Sequence, residues 1–169
     1  SPSPTPSPTP TPSTSPSTSP TPSTTPSPTP TPVNIRPTFT FFGPNTGIVT
    51  PTGVDVDPSG NIYVSDEGQL GHQYEASILV FAKPKVKGNG NVLNVKPIRT
   101  IKGKNTQLTT PTDVKVNASA GLIYVADSKN VLVFSITANG NTAPLMTYTS
   151  PGALTGLGIV PPPSPSASP

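Results

Sequence analysis

The chain contains no cysteine and no tryptophan, a single histidine and a single methionine, and only 10% of its 169 residues are charged. The absence of cysteine excludes disulfide bonds and thiol chemistry. Hydrolytic catalysis needs a base, a nucleophile and an orienting acid close together, and the chain has one histidine to act as the base. No apolar run approaches the length of a membrane-spanning helix, so membrane insertion is not expected.

Proline is abundant instead, with 27 residues that are frequent at both ends of the chain. Residues 1–32 consist almost entirely of Ser, Thr and Pro and carry no charge. Alternating proline disfavours helix and predicts an extended polyproline II stalk of about 100 Å. This composition is typical of O-glycosylated stalks, and a bare flexible linker is the alternative. The candidate acceptors are Thr5, Thr9, Thr11, Thr21 and Thr25.

The middle of the chain, residues 33–160, is rich in β-branched and aromatic residues and contains an internal repeat. The segment NIRPTFTFFGPNTG, which begins at Asn34, aligns with NVKPIRTIKGKNTQ, which begins 60 residues later at Asn94. Further along, NIYVSD recurs as LIYVAD, and SILVFA recurs as NVLVFS. A third, partial copy begins with NTAPLMTYTS at Asn141. We therefore divide the chain into a stalk (1–32), a β-repeat domain (33–160) and a Pro/Ser-rich tail (161–169).

Each repeat predicts four short strands separated by turns. Val54, Val56 and Val64 alternate with polar residues, which indicates one buried face. The sequence DPSGN, residues 57–61, predicts a tight hairpin turn in which Gly60 supplies the positive φ. The strands predicted for the first repeat are Val54–Asp57, Ile62–Ser65, Ser77–Ala82 and Pro97–Ile101.

The run PTGVDVDPSGNIYVSD, followed by SILVFA, resembles the NHL repeat over roughly residues 37–160. This resemblance implies β-propeller blades and usually a binding or scaffolding role, without a particular ligand. The chain departs from the pattern at Asp113, which stands where the first repeat has Gly53, and at the insertion 117–121. It also has too few repeats for a closed propeller, which needs at least about four blades. We expect an all-β fold of two four-stranded NHL-type blades with incomplete blade strands at both ends, preceded by the polyproline II stalk.

Two terminal strands lack neighbours in this scheme: an opening strand, Thr38–Phe42, and a closing strand, Gly156–Val160. An unpaired strand is a template for another chain, and the apolar side chains on both strands would remain exposed. An alternative is that the chain is a fragment whose missing repeats cover these residues. The predicted assembly interface comprises Phe39, Phe41, Phe42, Leu157 and Ile159.

These patterns predict an extracellular or cell-surface structural glycoprotein that associates with itself, as a ring or a filament, by completing an unfinished blade of the next copy. The alternative is a propeller module that binds carbohydrate or protein from the end of a glycosylated tether. A propeller enzyme such as a lactonase or lyase would need several converging acids and histidines. We therefore predict no enzyme activity, catalytic residue or cofactor, and the expected partners are further copies of the chain and covalent glycans.

The remaining candidates for chemistry are few. The single histidine, His72, lies in a loop near Glu75 and is best interpreted as solvated. Asp66 and Asp127 occupy matching positions after the second strand of each repeat, which favours a structural role in a turn or cap. The acids of VDVDPSG, residues 54–60, lack the further ligands of a calcium loop, so no metal site is predicted.

Two further features of the sequence concern the protein surface: a glycosylation sequon and a cluster of basic residues. Asn117 begins an Asn-Ala-Ser sequon in an inserted turn and is a candidate for N-glycosylation. Seven of the ten basic residues fall between Lys83 and Lys104. Lysines beside a strand edge discourage unwanted pairing, and no aromatic residues interleave with them as on a single-strand-binding surface. Nucleic acid is therefore not an expected partner.

Overall fold

The computed structural model describes residues 35–69 and 75–158. The predicted polyproline stalk, the tail 161–169 and His72 lie outside these residues. Within them the chain forms short β-strands and two 3-10 turns, Pro44–Thr46 and Lys104–Thr106. The strands are β1 Phe39–Phe41, β2 Pro51–Val56, β3 Ile62–Asp66, β4 Ser77–Phe81, β5 Asn91–Leu93, β6 Arg99–Lys102, β7 Pro111–Asn117, β8 Leu122–Asp127, β9 Asn130–Ser135 and β10 Met146–Thr149.

The strands form two four-stranded antiparallel sheets and one two-stranded parallel sheet. The first sheet has the order β2-β3-β4-β6, and the second has the order β7-β8-β9-β10. The predicted all-β class is confirmed, and every strand predicted for the first repeat is present with shifted ends. None of the sheets formed by the described residues closes on itself.

The hairpin turn between β2 and β3 forms where the sequence predicts it. Gly60 has φ 85°, and its amide donates to the carbonyl oxygen of Asp57 at 2.8 Å. Glycine adopts this left-handed conformation without the steric penalty of a Cβ atom. The turn sets the register of the strands, in which Val56 pairs with Ile62 and Val54 pairs with Val64.

The sequence predicted an opening strand without a neighbour, but the structure pairs this strand with another. β1 pairs in parallel with β5, with Thr40 opposite Val92, and the amide of Phe42 extends this pairing to the carbonyl oxygen of Leu93 at 3.1 Å. β5 lies in the connection between β4 and β6, where the sequence predicted no strand. The strand predicted at Gly156–Val160 is also absent from its described part, because residues 156–158 lie in no sheet.

Side chains on both faces of the first sheet are buried. The buried face predicted from Val54, Val56 and Val64 is wrong in part, because Val64 is buried whereas Val54 and Val56 in the edge strand β2 are exposed. We call the side of each sheet that carries Tyr63 or its repeat equivalent Tyr124 the front face, and the opposite side the back face. The front face of the first sheet packs on the back face of the second, and its back face packs on β1. The rings of Phe41 and Phe81 stack there with their centroids 4.4 Å apart. The core between the two sheets comprises Tyr63, Ile78, Val80, Ile101, Val114, Ile123, Val125, Leu132, Phe134 and Ala138.

Candidate functional site

The joint between the two sheets shows how successive repeats fit together. The hydroxyl of Thr52 donates to the carbonyl oxygen of Pro111 at 2.6 Å, and the amide of Val116 donates to a carboxylate oxygen of Asp55 at 2.7 Å. The first strands of the two sheets come very close, since a Cβ atom at Gly53 would lie 2.7 Å from the Cα of Asp113. The close approach of β2 to β7 therefore depends on the absence of a side chain at Gly53.

A second repeated contact ties each fourth strand to the following repeat. The side-chain oxygen of Asn94 accepts from the amide of Asn45 at 2.9 Å, and that of Asn141 accepts from the amide of Asn105 at 2.7 Å. Both amides belong to the 3-10 turns that follow β1 and β6. The turn after β1 therefore makes the same kind of contact with the segment before β6 that the turn after β6 makes with the segment before β10. β1 is thus equivalent to β6 in its position in the repeat and in the contact made by the turn that follows it.

At the other end of the array, residues 154–158 lie against the second sheet; we call them the tail segment. The hydroxyl of Thr112 donates to the carbonyl oxygen of Leu154 at 3.0 Å, which repeats the contact between Thr52 and Pro111. The amide of Leu157 donates to a carboxylate oxygen of Asp113 at 2.8 Å. The tail segment thus lies where the first strand of a third repeat belongs.

The front face of the second sheet is exposed beside the tail segment. Tyr148, in the fourth strand, is 57% exposed, whereas its repeat equivalent Ile101 is fully buried in the joint between the sheets. Tyr124 is half-buried, whereas its equivalent Tyr63 is 1% exposed. Met146 is also exposed. We call Tyr124, Met146 and Tyr148 the closing surface.

The opposite end of the array exposes part of the back face of the first sheet. Val54 and Val56 are 58% and 54% exposed, whereas Val114, the repeat equivalent of Val54, is fully buried. Phe42, just after β1, is 71% exposed. We call Phe42, Val54 and Val56 the opening surface. Both surfaces are apolar, and Tyr124, Tyr148 and Val54 stand at positions that the internal joint buries, which is the pattern of an interaction site.

The residues predicted for assembly have different surroundings. Phe39 and Phe41 are half-buried because they pack on the back face of the first sheet, and Phe42 remains exposed. Leu157 is half-buried with its amide bound to Asp113, and Ile159 lies outside the described residues. Tyr148, Val54 and Val56 were not among the predicted interface residues. The repeat aligns them with Ile101, Val114 and Val116, but the alignment alone does not show which copy of each position remains uncovered.

Asp66 and Asp127 have the structural role that their matching positions predicted. A carboxylate oxygen of Asp66 accepts from the amides of Val49 at 2.7 Å and Thr50 at 3.2 Å. A carboxylate oxygen of Asp127 accepts from the amide of Thr109 at 2.7 Å. Each aspartate is buried and holds the segment that leads into the first strand of its own sheet.

The carboxylate of Asp57 also binds groups of the protein. Asp57 accepts from the backbone and side-chain nitrogens of Asn61 at 2.9 and 2.8 Å, and from the hydroxyl of Tyr63 at 3.2 Å. Burial alone would raise the pKa of Asp57, but these hydrogen bonds lower it overall. Within residues 35–69 and 75–158, no group of three or more His, Cys, Asp or Glu side chains lies close enough to hold a metal ion.

The charge of Asp113 also strengthens its contact with the tail segment. Burial by itself would raise the pKa of Asp113, but the amide of Leu157, the ammonium group of Lys115 and the amide of Val114 lower it overall. The ion pair with Lys115 has an N–O distance of 3.0 Å. The carboxylate of Asp113 is therefore favoured in its charged form while the tail segment is bound.

Of the candidate glycosylation sites, Asn117 lies within the described residues. Asn117 ends β7, and its side-chain oxygen accepts from the hydroxyl of Ser119 at 2.8 Å and the amide of Ala120 at 3.0 Å. N-glycosylation of Asn117 stays a prediction. The candidates in the stalk, Thr5 to Thr25, lie outside the described residues. In the part of the chain that the structure describes, no helix is long and apolar enough to cross a membrane.

Comparisons with protein-family models, with curated proteins and with solved structures find no match to this chain.

Proposed function

We propose that the chain is an extracellular structural glycoprotein subunit that associates head to tail with copies of itself, each copy contributing two propeller-type blades of the NHL kind. One observation carries the proposal: Tyr148 and Val54 are exposed at positions where the same repeat, one unit along, has the fully buried Ile101 and Val114. The front face of the second sheet and the back face of the first are therefore the two faces through which copies associate.

A second copy is the occupant that these surfaces favour. Tyr148 and Met146 lie at the closing end of one copy, and Phe42, Val54 and Val56 lie at the opening end of another. The chain therefore carries both sides of the contact. Because the two surfaces differ, the contact is heterologous and gives a closed ring where the rotation between copies closes and a filament where it does not.

The stalk supports the extracellular and glycoprotein parts of the proposal. Its alternating Ser, Thr and Pro residues are typical of O-glycosylated stalks, which keep an attached domain at a distance from a surface. Peptide mass spectrometry of native material tests this part, with hexose-bearing peptides expected to contain Thr5, Thr9, Thr11, Thr21 or Thr25. Unmodified peptides over the whole stalk would contradict it.

Sedimentation velocity across a concentration series tests the association. The wild-type chain is expected to form species larger than a monomer as its concentration rises. Phe42→Asp places a charge on the opening surface, and Tyr148→Glu places one on the closing surface. Each change is expected to weaken association roughly 100-fold, because an unpaired charge in a buried apolar contact costs about 3 kcal/mol.

The head-to-tail polarity has its own test. Mixing Phe42→Asp with Tyr148→Glu leaves one intact surface on each variant, so the mixture is expected to form heterodimers and no larger species. The control is Lys104→Glu, which changes the charge of an exposed residue outside both surfaces. A wild-type chain that stays monomeric at every concentration would end the proposal and favour the binding-module alternative. Failure of the mixture to form heterodimers would exclude head-to-tail contact.

A further inference from the structure

The two ends of the array are covered in complementary ways. At the opening end, β1 packs on Leu79 and Phe81 in the first sheet and leaves Val54 in its first strand exposed. At the closing end, the tail segment binds Thr112 and Asp113 in the first strand of the second sheet and leaves the fourth strand exposed. The opening end therefore exposes its first strand, whereas the closing end covers its first strand and exposes its fourth.

Asp113 decides how a second copy approaches the closing end. In the joint within the chain, the equivalent position is Gly53, where a Cβ atom would lie 2.7 Å from the Cα of the facing strand. Real Cβ atoms do not approach a backbone atom so closely, because the overlap is strongly repulsive. The Cβ of Asp113 therefore keeps β2 of a second copy from packing on the second sheet at the spacing of the internal joint.

The same side chain holds the tail segment in that position. Asp113 accepts from the amide of Leu157 at 2.8 Å, and Thr112 donates to the carbonyl oxygen of Leu154 at 3.0 Å. Gly156 lies next to the carboxylate, and a Cβ built on it would be an ordinary 3.6 Å from the nearest carboxylate oxygen. The replacement of glycine by aspartate thus excludes one occupant and binds another.

We infer that the tail segment stays bound when two copies associate, and that the joint between copies is a shared layer made of the tail segment of one copy and β1 of the next. In this layer the tail segment covers Val54 and Val56 of the next copy, and Phe42 of that copy covers Tyr148. Asp113 is the positioning residue that holds the tail segment in place. The inference rests on the proposed function, since it specifies the contact through which copies associate.

Two substitutions at Asp113 separate this arrangement from displacement of the tail segment. Asp113→Ala removes the carboxylate and keeps the Cβ, whereas Asp113→Gly also restores the glycine of the first repeat. With a shared layer, both variants are expected to weaken association roughly tenfold, because both lose the charged contact with Leu157. If β2 of a second copy displaced the tail segment instead, Asp113→Gly would associate more tightly than the wild-type chain.

Hydrogen exchange followed by NMR gives a readout that does not depend on association. In dilute monomer, the amide of Leu157 is expected to exchange about tenfold faster in Asp113→Ala than in the wild-type chain, because it loses its acceptor. In the assembled wild-type chain, the same amide is expected to exchange more slowly than in the monomer. The control Lys104→Glu changes an exposed charge outside both surfaces and keeps the acceptor, and it is expected to leave association unchanged.

The possible outcomes distinguish the inference from the proposed function. If the wild-type chain stays monomeric, the proposed function fails. If it associates and Asp113→Gly associates as tightly or more tightly, the inference alone is overturned. Faster exchange at Leu157 on assembly of the wild-type chain would also overturn it, since that amide would then have lost its partner. Weakened association of both variants, with far-UV circular dichroism unchanged, supports it.

Discussion

Gly53→Ala tests the close contact between the first strands of the two sheets. The new Cβ atom would lie 2.7 Å from the Cα of Asp113 and 2.9 Å from the hydroxyl oxygen of Ser65. One of these contacts is with backbone, so the strands must separate. Overpacking of this kind costs typically about 1 to 3 kcal/mol. Replacing glycine by alanine also stabilises the folded chain by about 0.5 to 1 kcal/mol, because the unfolded chain then has less conformational entropy to lose.

The steric cost is the larger of the two, so we expect Gly53→Ala to lower the free energy of unfolding by about 1 to 2 kcal/mol. Urea denaturation followed by circular dichroism measures this difference. The matched control is Gly152→Ala, where a Cβ atom would meet nothing within 4 Å. The control has the same entropic gain without the clash, so it is expected to raise the free energy of unfolding by up to about 1 kcal/mol. A Gly53→Ala variant as stable as the control would refute the close packing of β2 against β7.

Two further predictions concern buried acids. Asp127→Ala leaves the amides of Thr109 and Thr110 without their acceptor and is expected to cost about 3 kcal/mol, or about 10 °C in Tm, measured by calorimetry. An unchanged Tm would contradict this role. Because hydrogen bonds lower the pKa of Asp57 in the folded chain, its contribution is fully present above the unfolded pKa of about 3.9 and is lost as pH falls through the lower folded pKa. Urea melts from about pH 5 to pH 2 are expected to show a smaller acid-side loss of stability in Asp57→Asn, and identical profiles would contradict it.

Local patterns predicted the strands of the first repeat well. Alternation of apolar and polar residues located β2 and β3, and the sequence DPSGN located the turn between them, because strand faces and turn φ angles depend on neighbouring residues. Asp66 and Asp127 were assigned a structural role from their equivalent positions alone. The all-β class followed from the same features.

The candidate site was predicted less completely. Phe39 and Phe41 were placed in an intermolecular contact from their apolar character, but they pack on the first sheet of their own chain. Tyr148 was not selected, because a tyrosine on a strand gives no local sign of which face remains uncovered. Its exposure depends on which sheet lies against which, and the covering of each face is set by contacts between segments far apart in the chain.

By itself, the sequence determined most of the local elements of this protein: the strands of its repeats, the turn at DPSGN, the internal repeat and the proline-rich segments that flank it. These follow from the conformational preferences of residues close together in the chain. Only the tertiary structure decided that β1 pairs with β5, that the tail segment binds Asp113, and that Tyr148, Val54 and Val56 remain exposed. The physical reason is that strand pairing and face covering depend on the contacts between distant segments, and a strand's own sequence specifies its faces without specifying its neighbours.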